Sequence, residues 1–161
     1  SRLGFINTHP SLLPYNRGKH YNFWALVEQC PFGVSLHMVE KGIDSGDIVA
    51  QRVIDYSWED TGETLYRKSL QAMKNLFTDT YPQLRTLNFA TKSQDLSTGS
   101  LHFSSELEKA SRISLDHPTT ARDILNLLRA RTFEGRPACS FLDDGVEYEV
   151  RIKITKKNDI S

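Results

Sequence analysis

The strongest constraint on this chain lies in its first fourteen residues. There the apolar run Leu3-Gly4-Phe5-Ile6 meets the polar pair Asn7-Thr8 and then His9-Pro10-Ser11-Leu12-Leu13-Pro14. The run reads as a buried strand, and the two prolines stop regular structure after it. Open α/β sheets place their chemistry where a strand ends in a loop. If the backbone stays extended to residue 9, side chains two apart point to one side, so Asn7 and His9 converge on the same space. An amide NH2 and a protonated imidazole both donate hydrogen bonds, and together they can hold an oxygen that gains negative charge in acyl transfer. An Asn at a strand end is also an ordinary turn former, and Asn-x-His alone does not separate the two readings.

A second element narrows the choice. Gly33-Val34-Ser35-Leu36-His37-Met38-Val39 alternates as a strand with Val34, Leu36 and Met38 on one side, and Ile48-Val49-Ala50-Gln51-Arg52-Val53-Ile54 reads as the next strand. The loop between them, Gly42-Ile43-Asp44-Ser45-Gly46-Asp47, carries a carboxylate at its tip. Taken in order, Asn7-x-His9-Pro10-Ser11-Leu12-Leu13-Pro14, Gly33-Val34-Ser35-Leu36-His37 and Ile43-Asp44-Ser45-Gly46-Asp47-Ile48 resemble the core of the 10-formyltetrahydrofolate-dependent formyltransferases. These include glycinamide ribonucleotide, methionyl-tRNA and sugar N-formyltransferases. The resemblance implies that Asn7, His9 and Asp44 are the catalytic residues. It also implies that Ile43, Asp44, Ser45 and Gly46 contact 10-formyltetrahydrofolate as co-substrate, and that no metal takes part. A primary amine would attack the formyl carbon, Asn7 and His9 would hold the oxyanion, and Asp44 would orient His9 and help move the proton to the leaving nitrogen. His37 reads as a supporting or packing histidine, and Asp47 as a turn carboxylate.

Family members carry a Rossmann-like segment before the Asn-x-His motif, whereas here that motif begins almost at residue 1. The expectation is therefore the C-terminal half of such a domain, self-associating along an exposed sheet edge and weakly active or inactive by itself. The 161 residues suffice for one core with a small appendage. Lys+Arg 20 balance Asp+Glu 20, which disfavours a basic nucleic-acid surface. Cys30 and Cys139 have no zinc spacing, and neither a signal peptide nor a long apolar run is present, so the reading is cytoplasmic, with no membrane partner.

Along the chain, Tyr15-Asn16-Arg17-Gly18-Lys19-His20 is a cationic turn. Tyr15, Arg17 and Lys19 are candidates to meet an anionic acceptor, with solvated loop cations as the alternative. Tyr21 to Glu28 reads as a short helix burying Phe23, Leu26 and Val27. A long helix opens with Asp60 as its expected cap and Glu63 three residues on, as in a capping box, and the stripe Leu65, Ser69, Met73, Leu76, Phe77, Thr80 and Leu84 reads as its core face, with Pro82 kinking or breaking it near the last turn. Residues 88–104 are polar and aperiodic and read as a linker. A helix follows over 121–131, preceded by Pro118 and Thr120, and then a β-hairpin turning at Asp143-Asp144-Gly145 whose second strand alternates Val146, Tyr148, Val150, Ile152 and Ile154.

Arginines at the end of that helix complement its dipole. The run Asn126-Leu127-Leu128-Arg129-Ala130-Arg131-Thr132-Phe133 also resembles the segment after the catalytic domain in sugar N-formyltransferases acting on dTDP-linked 4-amino-4,6-dideoxyhexoses. The resemblance implies that Asn126, Arg129, Arg131 and Phe133 contact the nucleotide. The expected fold is thus α/β: a partial Rossmann-like formyltransferase core over 1–87, the linker 88–104, and a small α+β segment over 105–157 that ends in the hairpin and serves sugar-nucleotide binding or dimerisation. The expected function is formyl transfer to a dTDP-linked amino sugar for surface glycans, by a homo-oligomer. Another amine acceptor (methionyl-tRNA or glycinamide ribonucleotide) and a non-catalytic interaction module remain as alternatives.

Overall fold

A computed structural model describes residues 4–157. In chain order the elements are β1 (Ile6–His9), β2 (Arg17–Gly18), α1 (Tyr21–Val27), β3 (Gly33–Met38), β4 (Ile48–Val53), α2 (Gly62–Arg85), β5 (Leu101–His102), α3 (Glu106–Ala110), α4 (Ala121–Arg131), β6 (Cys139–Asp143) and β7 (Val146–Val150). β3 is the middle strand of a three-stranded sheet, antiparallel to β1 on one side and β4 on the other. Its alternation does what period two requires. Val34 and Leu36 face α2 and pack with Leu76, Ala72 and Met73, while Ser35 and His37 point to the opposite face. The β3–β4 ladder pairs Leu36 with Ala50 but His37 with Ile48, so Val49 is an extra residue and the strand bends beside the Asp44 loop.

The expected buried strand Leu3–Ile6 differs from what forms. Leu3 lies outside the described residues, Gly4 adopts a positive φ of 76°, and Phe5 is 67% exposed. The ladder begins only where Ile6 meets Met38, so the extended segment is Ile6–His9, which carries the Asn-x-His motif itself. β1 lies at a sheet edge among the described residues, and apolar character alone did not bury Phe5.

α2 covers the sheet and runs to Arg85, with Pro82 inside its last turn. Its cap is Thr61 rather than Asp60. The Thr61 hydroxyl accepts from Thr64 N, the Thr64 hydroxyl accepts from Thr61 N, and the Asp60 carboxylate instead takes Ser57 N, the Thr64 hydroxyl and Lys68. Leu65, Ser69, Leu76 and Thr80 are buried, but Phe77 lies on the flank of that stripe, exposed, with its ring 5.7 Å from Tyr81. A second core joins the two ends of the chain, with Phe23, Ala25 and Leu26 of α1, Phe32 and Leu65 packed with Leu107 of α3 and Ala130 of α4. The hairpin turns through Asp144 and Gly145, both at positive φ, as a tight two-residue turn requires. β7 ends at Val150, short of the expected Ile152 and Ile154, and Leu142, Val146 and Tyr148 are exposed. No helix among the described residues is long and apolar enough to cross a membrane.

Residues 88–104, expected as a linker, lie against the sheet and the loops above it. Lys92 exchanges both backbone hydrogen bonds with Ile48, and β5 pairs in parallel with β2. Replacing Leu36 by Ala is expected to cost about 2–5 kcal/mol in urea unfolding, whereas Phe77→Ala should stay within about 1 kcal/mol. Equal costs would contradict the placement of Leu36 in the core and of Phe77 on the flank of α2.

Candidate active site

β1 carries Asn7 and His9 to one face because it is extended, and its register decides what they meet. Asn7 lies opposite His37 and His9 opposite Ser35. Asn7 is exposed, while His9 is 5% exposed. The loop after β1 is fastened to that face by buried polar groups. The Ser35 hydroxyl donates to Ser11 O (2.8 Å) and accepts from Leu13 N (3.1 Å), and the Gln51 amide donates to Leu13 O (2.7 Å) and to the Ser35 hydroxyl (2.9 Å). Strand positions that a simple alternation rule makes polar thus hold the histidine's loop in place.

Asp44 enters from the β3–β4 loop at a positive φ of 47°. Its Oδ2 lies 3.3 Å from His9 Nδ1 and accepts from Gly18 N at 2.9 Å, and its Oδ1 lies 3.6 Å from His37 Nε2. Gly46 is obligatory in this loop, since any side chain there would collide with the Met38 carbonyl. His37 Nδ1 sits 2.9 Å from Met38 O, so its Nδ1–H donates there and its Nε2 faces Asp44 from behind. His9 Nε2 lies 3.4 Å from Asn16 O.

Burial is the largest influence on His9 and pushes its pKa below the ordinary value of 6.5. Asp44 and the Asn16 carbonyl pull it upward, and His37 and Lys19 push it further down. The net direction is downward, so the resting ring is neutral near pH 7. Asp44 is the stronger acceptor and draws the single proton to Nδ1, which leaves Nε2 free to take a proton. Once it does, Asp44 and Asn16 O both stabilise the imidazolium. This is the requirement for a general base beside an oxyanion donor.

A cavity of about 600 Å³ adjoins this cluster, lined among others by Lys19, His20, Tyr21, Arg131, Phe133 and Arg136. Tyr21 forms the partition, with its ring 6.0 Å from that of His9 in an edge arrangement. Burial raises the Tyr21 hydroxyl to about 12, so it stays a neutral donor. Burial likewise lowers His20, with Arg131 and Lys19 acting in the same direction.

The expected acceptor residues therefore separate. Lys19, Arg131 and Phe133 line the cavity. Asn126 and Arg129 line a different, smaller groove with Trp58, and there Arg129 is consumed by structure: it donates to Asn126 Oδ1, Ser57 O and Asp60 O, with its guanidinium 4.6 Å from the Trp58 ring centre. Tyr15 bonds back within its own loop through its carbonyl, and Arg17 sits in the short β2 ladder. In the expected folate loop, Ile43 is exposed, Ser45 hydrogen-bonds to Lys41 O, and Gly46 is buried. Three residues that the sequence left unassigned support His9 and the Asp44 loop: Tyr21 by its ring, Asn16 by its backbone carbonyl, and Gln94. Gln94 donates to Asp44 O and Gly46 O (3.0 and 2.6 Å). Proximity to the motif was a signal for Tyr21 and Asn16, and no local signal marked Gln94. Among the described residues no three His, Cys, Asp or Glu side chains gather as metal ligands.

Comparison with known proteins gives two family matches, a formyl transferase model over residues 1–81 and an N-formyltransferase dimerization C-terminal domain over residues 106–156. A dTDP-4-amino-4,6-dideoxyglucose formyltransferase of Mycobacterium tuberculosis is 28% identical over 139 residues, covering 86% of this chain and 58% of the relative. A methionyl-tRNA formyltransferase of Thermodesulfovibrio yellowstonii is 34% identical over 154 residues, covering 95% of this chain and 47% of the relative. The chain thus spans roughly half the length of these curated relatives. Among solved structures, the formyltransferase PseJ from Anoxybacillus kamchatkensis, in complex with UDP-4,6-dideoxy-4-formamido-L-AltNAc and tetrahydrofolate, is 33% identical. It superimposes with a TM-score of 0.63 over 76% of this chain and 63% of its own.

The direction of the His9 shift is open to measurement by proton NMR of its ring. The midpoint is expected below 6.5, and the Asp44→Asn exchange should lower it further, because the attraction that opposes burial is removed. A midpoint above 6.5 in the unaltered protein would contradict the burial argument.

Proposed function

The chain belongs to the formyl transferase family, and from that premise we propose that it transfers the formyl group of 10-formyltetrahydrofolate to the primary amine of a dTDP-linked 4-amino-4,6-dideoxy sugar. The observation that carries the reading is the pairing of His9 and Asp44 at 3.3 Å, beside an exposed Asn7 and next to a cationic cavity. The co-substrate is taken from the family and from the relative solved with tetrahydrofolate; Ile43 and the loop to Gly46 are the surface it would meet.

In the proposed step, the amine nitrogen bonds to the formyl carbon, and the former carbonyl oxygen becomes an oxyanion held by the Asn7 amide. His9 Nε2 takes a proton from the attacking amine, and Asp44 stabilises the cation that forms. The bond from the formyl carbon to the folate nitrogen then breaks, and that nitrogen leaves with the proton from His9. Electron pairs and protons balance without a further reactant.

The acceptor is argued from the cavity. Lys19, Arg131 and Arg136 give it positive charge suited to a diphosphate, and Phe133 gives it an aromatic face, with Tyr66 5.7 Å away, suited to a base. Arg131 is also paired with Glu108, so a phosphate would have to compete with that carboxylate. The methionyl-tRNA reading is favoured by the higher identity of that relative. Against it stands the charge balance of 20 Lys+Arg to 20 Asp+Glu, which supplies no basic field for a polyanion. We further read the exposed Leu142, Val146 and Tyr148 of the hairpin as the contact with a second copy, in keeping with the dimerization domain matched there. The setting we propose is cytoplasmic, with a product destined for surface glycans; the free thiols of Cys30 and Cys139 fit that setting.

Calorimetric titration with dTDP tests the acceptor. Saturable binding is expected, weakened about tenfold by Arg131→Ala and retained in His9→Ala. Formylation of methionyl-tRNA by a chain that binds no dTDP would overturn the sugar reading.

A further inference from the structure

Two atoms engage the ring nitrogens of His9, Asp44 Oδ2 at Nδ1 and Asn16 O at Nε2, and neither is held in place by the motif that contains it. Asp44 sits at the tip of a loop in a left-handed conformation. The Gln94 amide donates to Asp44 O and Gly46 O, directly before and beyond Ser45, and Lys92 and Ile48 lock the loop's outgoing end through a pair of backbone bonds of 2.8 and 2.9 Å. Gln94 Oε1 is buried with no partner among the described residues, so this side chain serves the loop only through its donors.

Asn16 is likewise in a left-handed conformation and fully buried. Its backbone N–H and its side-chain amide both donate to the Ser100 hydroxyl (3.2 and 3.3 Å), and that amide also donates to Glu28 Oε2 at 2.8 Å. The Ser100 hydroxyl itself donates to the same Glu28 oxygen at 2.8 Å. Glu28 is fixed at its other oxygen by His102 Nε2 at 2.7 Å; the His102 ring stacks on Trp24 at 3.8 Å, and its Nδ1 lies 2.9 Å from Glu106 Oε2. Arg17 N donates to Ser100 O and Lys19 N to His102 O, so the same stretch also places Gly18, whose N–H bonds Asp44 Oδ2.

We propose that residues 92–102 form a brace that sets the orientation of the His9 ring from both sides, with Gln94 and Ser100 as positioning residues for the reaction. Gln94 acts through the Asp44 loop at Nδ1, and Ser100 acts through the Asn16 carbonyl at Nε2. The inference rests on the reading of His9 as the reacting base, but its structural content does not depend on which amine is formylated.

The groups that face His9 are Asp44, His37 and Lys19, with the Tyr21 ring at its edge. Asp44 and Asn16 O are the two that favour the protonated ring, so loosening either should move its titration downward. The test is the NMR titration of His9 in three variants of the full chain: Gln94→Met, which keeps shape and removes the donors; Ser100→Ala, which removes one oxygen; and Ser100→Thr, which keeps the hydroxyl. The His9 midpoint is expected to fall in the first two and to return toward the unaltered value in the third. In formyl transfer, kcat is expected to drop about tenfold in Gln94→Met and Ser100→Ala with the amine KM unchanged. Superimposable His9 titrations in folded Gln94→Met and Ser100→Ala would overturn the proposal. So would a Ser100→Thr protein that behaves as Ser100→Ala, since the hydroxyl would then be immaterial. If Gln94→Met does not fold, the serine pair decides the matter. If the unaltered chain transfers no formyl group, the proposed reaction fails, while the titrations still decide the brace.

Discussion

The site depends on one half-buried carboxylate. Asp44 loses much of its water and must find partners, and it does so among groups that arrive from separate elements: His9 from β1, His37 from β3 and the Gly18 N–H from β2. This convergence explains why the chain runs as it does between residues 5 and 50. Antiparallel pairing of β1 on β3 fixes which side chains oppose one another, and the extra residue Val49 bends β4 where the Asp44 loop ends. A one-residue slip in that register would send Asn7 and His9 to the face packed on α2.

Much of this arrangement was legible in the sequence. The Asn-x-His spacing, the alternation of β3, the glycine-bounded Asp44 loop and the start signals before α4 each have a local physical cause, and each appears where that cause puts it. What could not be read was contact made by aperiodic chain. Residues 88–104 have no hydrophobic period, and polar aperiodicity describes a free linker and a hydrogen-bonded brace equally well. Gln94, Ser100 and His102 are therefore placed only by three-dimensional pairing across separations of 48 to 84 positions, such as Ser100 with Asn16. The arginines show a related limit. Arg129 and Arg131 are two apart on a helix, hence on different faces, and one is spent on the carbonyls around Trp58 while the other reaches the cavity. Phe5 and Phe77 show a third, since apolar character predicted burial for residues that lie at a sheet edge and on a helix flank.

Charge is distributed as the proposed chemistry requires, although the chain as a whole is neutral. Lys19, Arg131 and Arg136 gather at one cavity, and Tyr21 stands between that cationic space and the buried, neutral His9. Burial is what chiefly holds the His9 ring neutral, and of the cavity's cations Lys19 pushes in the same direction, which in the proposed reaction leaves the base free to accept a proton from the amine.

The most direct test of this account is single-turnover formyl transfer by Asp44→Asn, an exchange that keeps the shape and removes the charge, read against the unaltered chain, whose own transfer is expected to be weak. If the carboxylate organises His9 and stabilises its protonated form, the rate should fall by about a hundredfold or more while thermal unfolding remains cooperative. A folded Asp44→Asn protein that transfers the formyl group at the unaltered rate would contradict the central claim.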